Sequence, residues 1–254
     1  MSIGPRPVFQ GYSRSGMLPP GVKWLLISNT VLFVLYFFAA RTGFGSAFYH
    51  FGLVPRAVTH LLAVWQLGTY MFLHDPFGVT HILLNMLMLW MFGTTLENTW
   101  GTKRFLQYYF VCGVGAALCV VVLATLFGNA ESRTIGASGA IFGLLLAFGV
   151  LFPDAQMLFM FIFPLKAKYC VMIYGAIEFL FTLGSTGDGV SHVAHLGGMA
   201  FGYFYLRSNV FKFRRWDLTG FFRTRYREWK LQRAKKKFQV YLRKHGSGPS
   251  RDIH

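Results

Sequence analysis

The stretch Ile135-Gly136-Ala137-Ser138-Gly139-Ala140-Ile141-Phe142-Gly143-Leu144-Leu145-Leu146-Ala147-Phe148-Gly149-Val150-Leu151-Phe152 decides how the chain is read. It contains no Lys, Arg, Asp or Glu, and it is close to the roughly 20 apolar residues that cross about 30 Å of hydrocarbon as a helix. Near its start stands Ser138, with Gly136-Ala137 before it and Gly139 after it, so a hydroxyl lies where the backbone is bare on both sides. Polar groups inside a span are costly and mark functional hypotheses.

Working outward, the composition agrees. Hydrophobic residues make up 54% of the 254, charged residues 13%, and 28 are Phe; with a mean hydropathy of +0.43, there is too little polar surface to cover a water-soluble globule. Five further apolar segments can be drawn, giving helices at about 24–40, 79–99, 105–127, 135–152, 169–184 and 190–206. A shorter apolar stretch, 157–165, contains Pro164 and leads into Lys166 and Lys168; it is expected to be a loop before the fifth helix, lying at the interface. Residues 43–78 are apolar but interrupted by Gly52, Pro55, His60, His74, Asp75, Pro76 and Gly78, which predicts a structured loop partly sunk in the membrane.

The formal net charge of +16 is unevenly spread: 15 of the 25 Lys and Arg fall between Arg207 and Arg251. This basic tail, interleaved with Trp229, Leu231, Phe238, Val240 and Leu242, is expected to lie on anionic lipid rather than on nucleic acid. With the N-terminus in the cytoplasm, 22 Lys and Arg fall on that side and only Arg41, Arg56 and Arg133 on the other. The positive-inside rule then predicts six spans with both termini cytoplasmic. The expected organisation is a cytoplasmic segment 1–22, a membrane domain 23–207 and a basic tail 208–254. Residues 1–24 lack the early apolar run of a cleaved signal peptide. Cys112, Cys119 and Cys170 sit in apolar runs without metal-ligand spacing and read as small core residues. No metal or cofactor is expected, since His74 and Asp75 have no matching third ligand.

Polar groups inside the spans converge. His81 and Asn85, four apart on one helix face, lie in the first turns of the second helix, Ser138 near the start of the fourth, and His195 in the second turn of the sixth. If the helices alternate in direction, all three begin on the outer side, which puts these groups roughly 5–10 Å deep at 1.5 Å per residue. Gly139-xxx-Gly143 and Gly198-xxx-Gly202 are small-xxx-small faces that let helices approach closely. His195 shares its face with Gly198 and Gly202, so packing against the fourth helix would bring its imidazole to the Ser138 hydroxyl, as general-base activation of a nucleophile requires. A polar pair that merely ties two helices together is the competing structural reading. His192, one turn from His195, is the competing base. Glu97 reads as a hydrogen-bonded anchor for neighbouring backbone. Glu178, an acid well inside the fifth helix, reads as neutral and hydrogen-bonded or as lining a water path.

GASG in the fourth helix, AHLGG in the sixth, and HILLN followed by LENTWG in the second resemble the rhomboid intramembrane serine proteases over about residues 23–207. The resemblance implies an all-α, six-helix membrane bundle with Ser138 as nucleophile and His195 as base and acid. His81, Asn85 and the Ser138 amide would stabilise the oxyanion, with Gly136, Gly139, Phe142 and Gly198 serving substrate access and packing. It implies a dyad with no third acidic member, the nearest acid before the sixth helix being loop Asp188. Phe142 stands where members often stack an aromatic ring on the histidine, ordinary packing being the alternative. The Trp-Arg pair that some bacterial members carry in the first loop is absent, and Trp65-Gln66 is the nearest feature. The implied substrates are transmembrane proteins, cut near the outer side of a bacterial inner membrane. A non-catalytic membrane-protein binding or transport factor on the same scaffold is the second reading, and retention of all four polar residues weighs against it.

Overall fold

The computed structural model describes residues 18–127, 130–160, 162–184 and 189–208. The expectations for residues 1–17, for Asp188 and for the tail from 209 onward lie outside these residues.

Long helices run over Pro20–Arg41, Val79–Trp100, Thr102–Phe127, Ser138–Leu151, Ala167–Gly184 and Gly189–Arg207. Four of them are long and apolar enough to cross a membrane: the first, second, third and fifth. The fourth has 14 residues, or about 21 Å of rise, short of a full hydrocarbon crossing. The sixth has 19 residues, but His192, His195, Gly197, Gly198 and Gly202 lower its hydropathy. Length and composition therefore support four crossings outright. The two helices that fall short are those carrying Ser138 and His195.

The third helix is the hub, because its small and aromatic residues meet glycines on its neighbours. A Cβ on Gly143 would overlap the Cys112 sulfur, one on Gly197 would come within 2.8 Å of the Cys119 Cβ, and one on Gly202 would overlap the Tyr108 hydroxyl. Without Cβ atoms there, the fourth and sixth helices sink onto the third. Tyr108, Cys112, Ala116 and Ala140 are fully buried in this seam. The Tyr108 hydroxyl donates to the Gly143 carbonyl at 2.8 Å, giving the buried polar group its partner.

The first helix begins at Pro20, so its early N–H groups need acceptors from elsewhere. Glu97 supplies them: the amides of Gly21 and Val22 donate to its two carboxylate oxygens at 2.8 and 2.7 Å, and the Thr102 hydroxyl donates at 2.6 Å. The anchoring expected of Glu97 is thus a cap on the first helix. The second helix contains a π turn at Leu89–Gly93. A Cβ on Gly93 would come within 2.9 Å of the Val22 side chain, so the glycine admits the first helix at that turn.

Residues 43–78 form short helical turns at Gly45–Phe51, Pro55–His60, Gln66–Thr69 and Tyr70–Phe72. Gln66, only 3% exposed, ties them together: its Oε1 accepts from the Val54 amide and its Nε2 donates to the His50 carbonyl. The Trp65 indole donates to the same carbonyl at 3.1 Å. Arg133, from the connection after the third helix, donates to the Tyr36 hydroxyl and the Phe48 carbonyl. The anchor of this loop is therefore Trp65-Gln66 from within and Arg133 from outside. Its Leu61, Leu62, Val64 and Trp65 are exposed.

The expected loop at 157–165 needs correcting. Gln156–Phe159 and Phe163–Lys166 pair as antiparallel strands, so the bundle is mostly, not entirely, helical. The cause is local. Pro164 cannot donate a ladder hydrogen bond but is tolerated on a strand with no second neighbour, and Lys166 and Lys168 both reach Asp154, each at 3.1 Å, across the base of the hairpin. The two ammonium groups hold the exposed Asp154 carboxyl below its usual range.

Candidate active site

Ser138 is the first residue of the fourth helix, after Ala137 at the N-cap. Its amide is one of the first-turn N–H groups that have no partner within the helix, and it sits at the positive end of the helix dipole. Gly136 makes the approach possible: its φ of +119° is favourable only for glycine, and its amide donates to the Tyr70 carbonyl at 2.9 Å, pinning the entry to the helix against the first loop. A Cβ on Gly136 would stand 2.9 Å from His81 Nε2 and 3.8 Å from Ser138 Oγ. Imidazole and hydroxyl therefore face the same bare patch of backbone.

His195 Nε2 lies 2.8 Å from Ser138 Oγ. The Phe142 ring, one helical turn after Ser138, stacks on the imidazole with centroids 4.2 Å apart and planes 8° from parallel. The glycine faces bring this about. A Cβ on Gly198 would overlap the Gly139 carbonyl, and one on Gly139 would come within 2.7 Å of the Ala116 Cβ and 3.3 Å of the Ala194 carbonyl. His192 is turned away from the serine: its Nδ1 lies 2.6 Å from Glu178 Oε2 and its ring stacks on Phe181.

Asn85 is nearly buried, and its amide nitrogen donates to the His81 carbonyl at 2.8 Å, which leaves its second N–H free by valence. Behind His81 the His74 ring packs at a centroid distance of 5.2 Å. His74 is wholly buried, and burial, with the neighbouring His81 imidazole as the second cause, pushes its pKa down to about 3. The Phe72 backbone pulls weakly the other way but reaches hydrogen-bond geometry with neither ring nitrogen.

The resemblance implies a dyad with no third acidic member; Glu178 Oε2 nonetheless lies 2.9 Å from His195 Nδ1, without reaching hydrogen-bond geometry. The signal was present in the sequence. Glu178 stands six residues before the end of the fifth helix and His195 six after the start of the sixth. In antiparallel neighbours, that is the same depth. Glu178, His192 and His195 also offer three ligand atoms within 4.8 Å of one another, a donor set that could hold a transition-metal ion.

A family model described as the Rhomboid domain matches residues 62–208, more than half of the chain. The chain belongs to the rhomboid family. This rhomboid is 34% identical over 140 residues to "Rhomboid protein 1, mitochondrial" of Saccharomyces cerevisiae, covering 53% of this chain and 38% of that one. It is 31% identical over 140 residues to "Rhomboid protease GluP" of Bacillus subtilis, covering 55% and 25%. To "Putative rhomboid protease YdcA" of the same species it is 32% identical over 142 residues, covering 55% and 64%. The chain thus spans less than two thirds of the length of each of these relatives. Ser138, His195, His81 and Asn85 all fall within the matched region, and with its apolar helices this rhomboid is an integral membrane protein.

Proposed function

We propose that this rhomboid is a serine endopeptidase that cuts transmembrane segments of other membrane proteins near the outer side of the bilayer. The observation that carries this reading is the 2.8 Å separation of Ser138 Oγ and His195 Nε2, from two different helices packed glycine against glycine. As Oγ attacks the scissile carbonyl, His195 Nε2 takes its proton; the same imidazole then gives that proton to the leaving amine. Water, deprotonated by His195, releases the acyl group from Ser138. The charge developing on the carbonyl oxygen falls to the Ser138 amide, His81 and the remaining N–H of Asn85, where one donor is typically worth about 10²–10³ in rate.

The same reading includes six crossings with both termini cytoplasmic, supported by the 22 to 3 division of basic residues. The short fourth helix then begins below the outer surface, with Ser138 at the floor of an opening to that side. The plasma membrane of a bacterium is the proposed location, and the basic tail is proposed to rest on anionic lipid. Purified wild type and Ser138→Ala, reconstituted with a model single-span substrate, test the assignment. Cleavage by the wild type alone supports it, and equal cleavage by both overturns it.

A further inference from the structure

The proposed reaction needs His195 Nε2 free to accept a proton, so in the resting enzyme the ring hydrogen must sit on Nδ1. That nitrogen is shut away from solvent, and no described group meets it in good hydrogen-bond geometry. A buried ring nitrogen left without a partner costs about 1–3 kcal/mol in either tautomer, so that cost by itself does not favour the form in which Nε2 is the base. An acceptor beside Nδ1 would favour it.

Within reach of that nitrogen stands Glu178 Oε2 at 2.9 Å, off the line of the N–H. Catalytic hydrogen bonds in unliganded sites are commonly loose in this way and tighten with substrate. The carboxylate is itself held. His192 Nδ1 lies 2.6 Å from the same oxygen in good geometry, and the two lone pairs of one carboxylate oxygen can accept both imidazole N–H groups. The Glu178 side chain is only 11% exposed, so its charge acts at short range in a medium that screens it poorly.

Resting on the proteolytic reading above, we infer that Glu178 is a positioning residue for His195: it fixes the tautomer with Nε2 free and stabilises the imidazolium that forms when Ser138 gives up its proton. The proton travels from Oγ to Nε2 and on to the leaving amine, and Glu178 exchanges none. The cost of an acid inside the fifth helix then has a reason that helix packing alone does not provide. The site becomes three groups on three helices.

The test uses the full chain in liposomes with a chelator present, because a metal ion on Nδ1 would move the proton to Nε2 and block the base. Steady-state kinetics on a single-span substrate are measured for the wild type and for Ser138→Ala, Glu178→Ala, Glu178→Gln and His192→Ala. Glu178→Ala is expected to lower kcat about 100-fold with KM within about threefold, because its effect appears only as charge develops in the transition state. Glu178→Gln keeps an acceptor for Nδ1–H and loses the charge, so it is expected to recover part of that loss. His192→Ala leaves Glu178 beside His195 and is expected to cost several-fold less than Glu178→Ala. With histidine ¹⁵N-labelled, the Nδ1–H resonance of His195 should be seen in the wild type and lost in Glu178→Ala. If Glu178→Ala fails to fold, the isosteric Glu178→Gln carries the test through kcat and KM alone. A kcat within threefold of wild type for the Glu178 variants while Ser138→Ala is dead overturns this inference alone, as does an equal loss in His192→Ala. Cleavage by Ser138→Ala overturns both it and the reading beneath it.

Discussion

Gly198 and Gly139 meet backbone to backbone, with no room for a methyl group between the sixth helix and the fourth. This contact sets the distance between Ser138 and His195, since His195 lies one turn before Gly198 and Ser138 directly before Gly139. Gly198→Ala must push the helices apart by a fraction of an ångström or more. Overpacking of this kind typically costs about 1–3 kcal/mol, and a displacement of about 1 Å at reacting groups can cost about 10²-fold in rate. Purified Gly198→Ala should unfold at lower temperature and lose at least about tenfold in kcat. Unchanged kcat in a folded sample would show that the contact does not set the geometry of the pair.

Gly136 makes a sharper case, because its substitution acts on the site with little effect on the core. Its positive φ is strained for any residue with a Cβ, which costs of order 1–3 kcal/mol, and that Cβ would press on His81 Nε2. Gly136→Ala should therefore displace the imidazole proposed to meet the oxyanion. The expected result is a folded protein in which a fluorophosphonate labels Ser138 about tenfold more slowly than in the wild type. Labelling at the wild-type rate would remove His81 and Gly136 from the site.

Much of this architecture is legible in the sequence, for a physical reason. A span cannot hide a polar residue, so Ser138, His195, His81 and Asn85 stood out against their apolar runs, and the small-xxx-small faces indicated which helices touch. Glu178 stood out as well, but its partner did not. Six residues from either terminus is one level in antiparallel helices, so an acid near the end of one helix faces a group near the start of the next. The hairpin formed by Gln156–Phe159 and Phe163–Lys166 is not legible because Pro164 and the lysines read as punctuation, whereas Asp154 gathers both lysines and ties its base. The role of Arg133 was invisible for another reason. Its partners Tyr36 and Phe48 are 97 and 85 residues away in sequence, and no local pattern announces such a contact.

Glu97 joins two helices by charge-assisted hydrogen bonds to backbone, the strong class of such bonds. Replacing it with Ala would leave the amides of Gly21 and Val22 buried without acceptors, at about 1–3 kcal/mol each. Glu97→Ala should lower the apparent melting temperature markedly and make the first helix the earliest site of proteolytic nicking. Since Glu97 lies at the opposite end of the second helix from His81, kcat per folded molecule is expected to stay within about twofold. A large kcat loss with unaltered stability would contradict this division of roles.

His74 yields a prediction about pH. Its pKa is about 3 in the folded chain against 6.5 ordinarily, so below pH 6.5 the unfolded chain binds a proton that the folded chain refuses. Stability from this group is thus fully present above pH 6.5 and is lost as pH falls from 6.5 towards 3, at up to about 1.4 kcal/mol per pH unit. Between pH 6.5 and about 5 the carboxylates, with ordinary values near 4, contribute little, and comparison with a His74 variant separates this histidine from the other seven. Thermal unfolding in one detergent across that interval should show a falling melting temperature for the wild type. His74→Phe keeps a ring of similar breadth without buried nitrogens, and its curve should be flatter. Parallel curves would mean that the slope comes from elsewhere and that His74 is protonated as readily folded as unfolded.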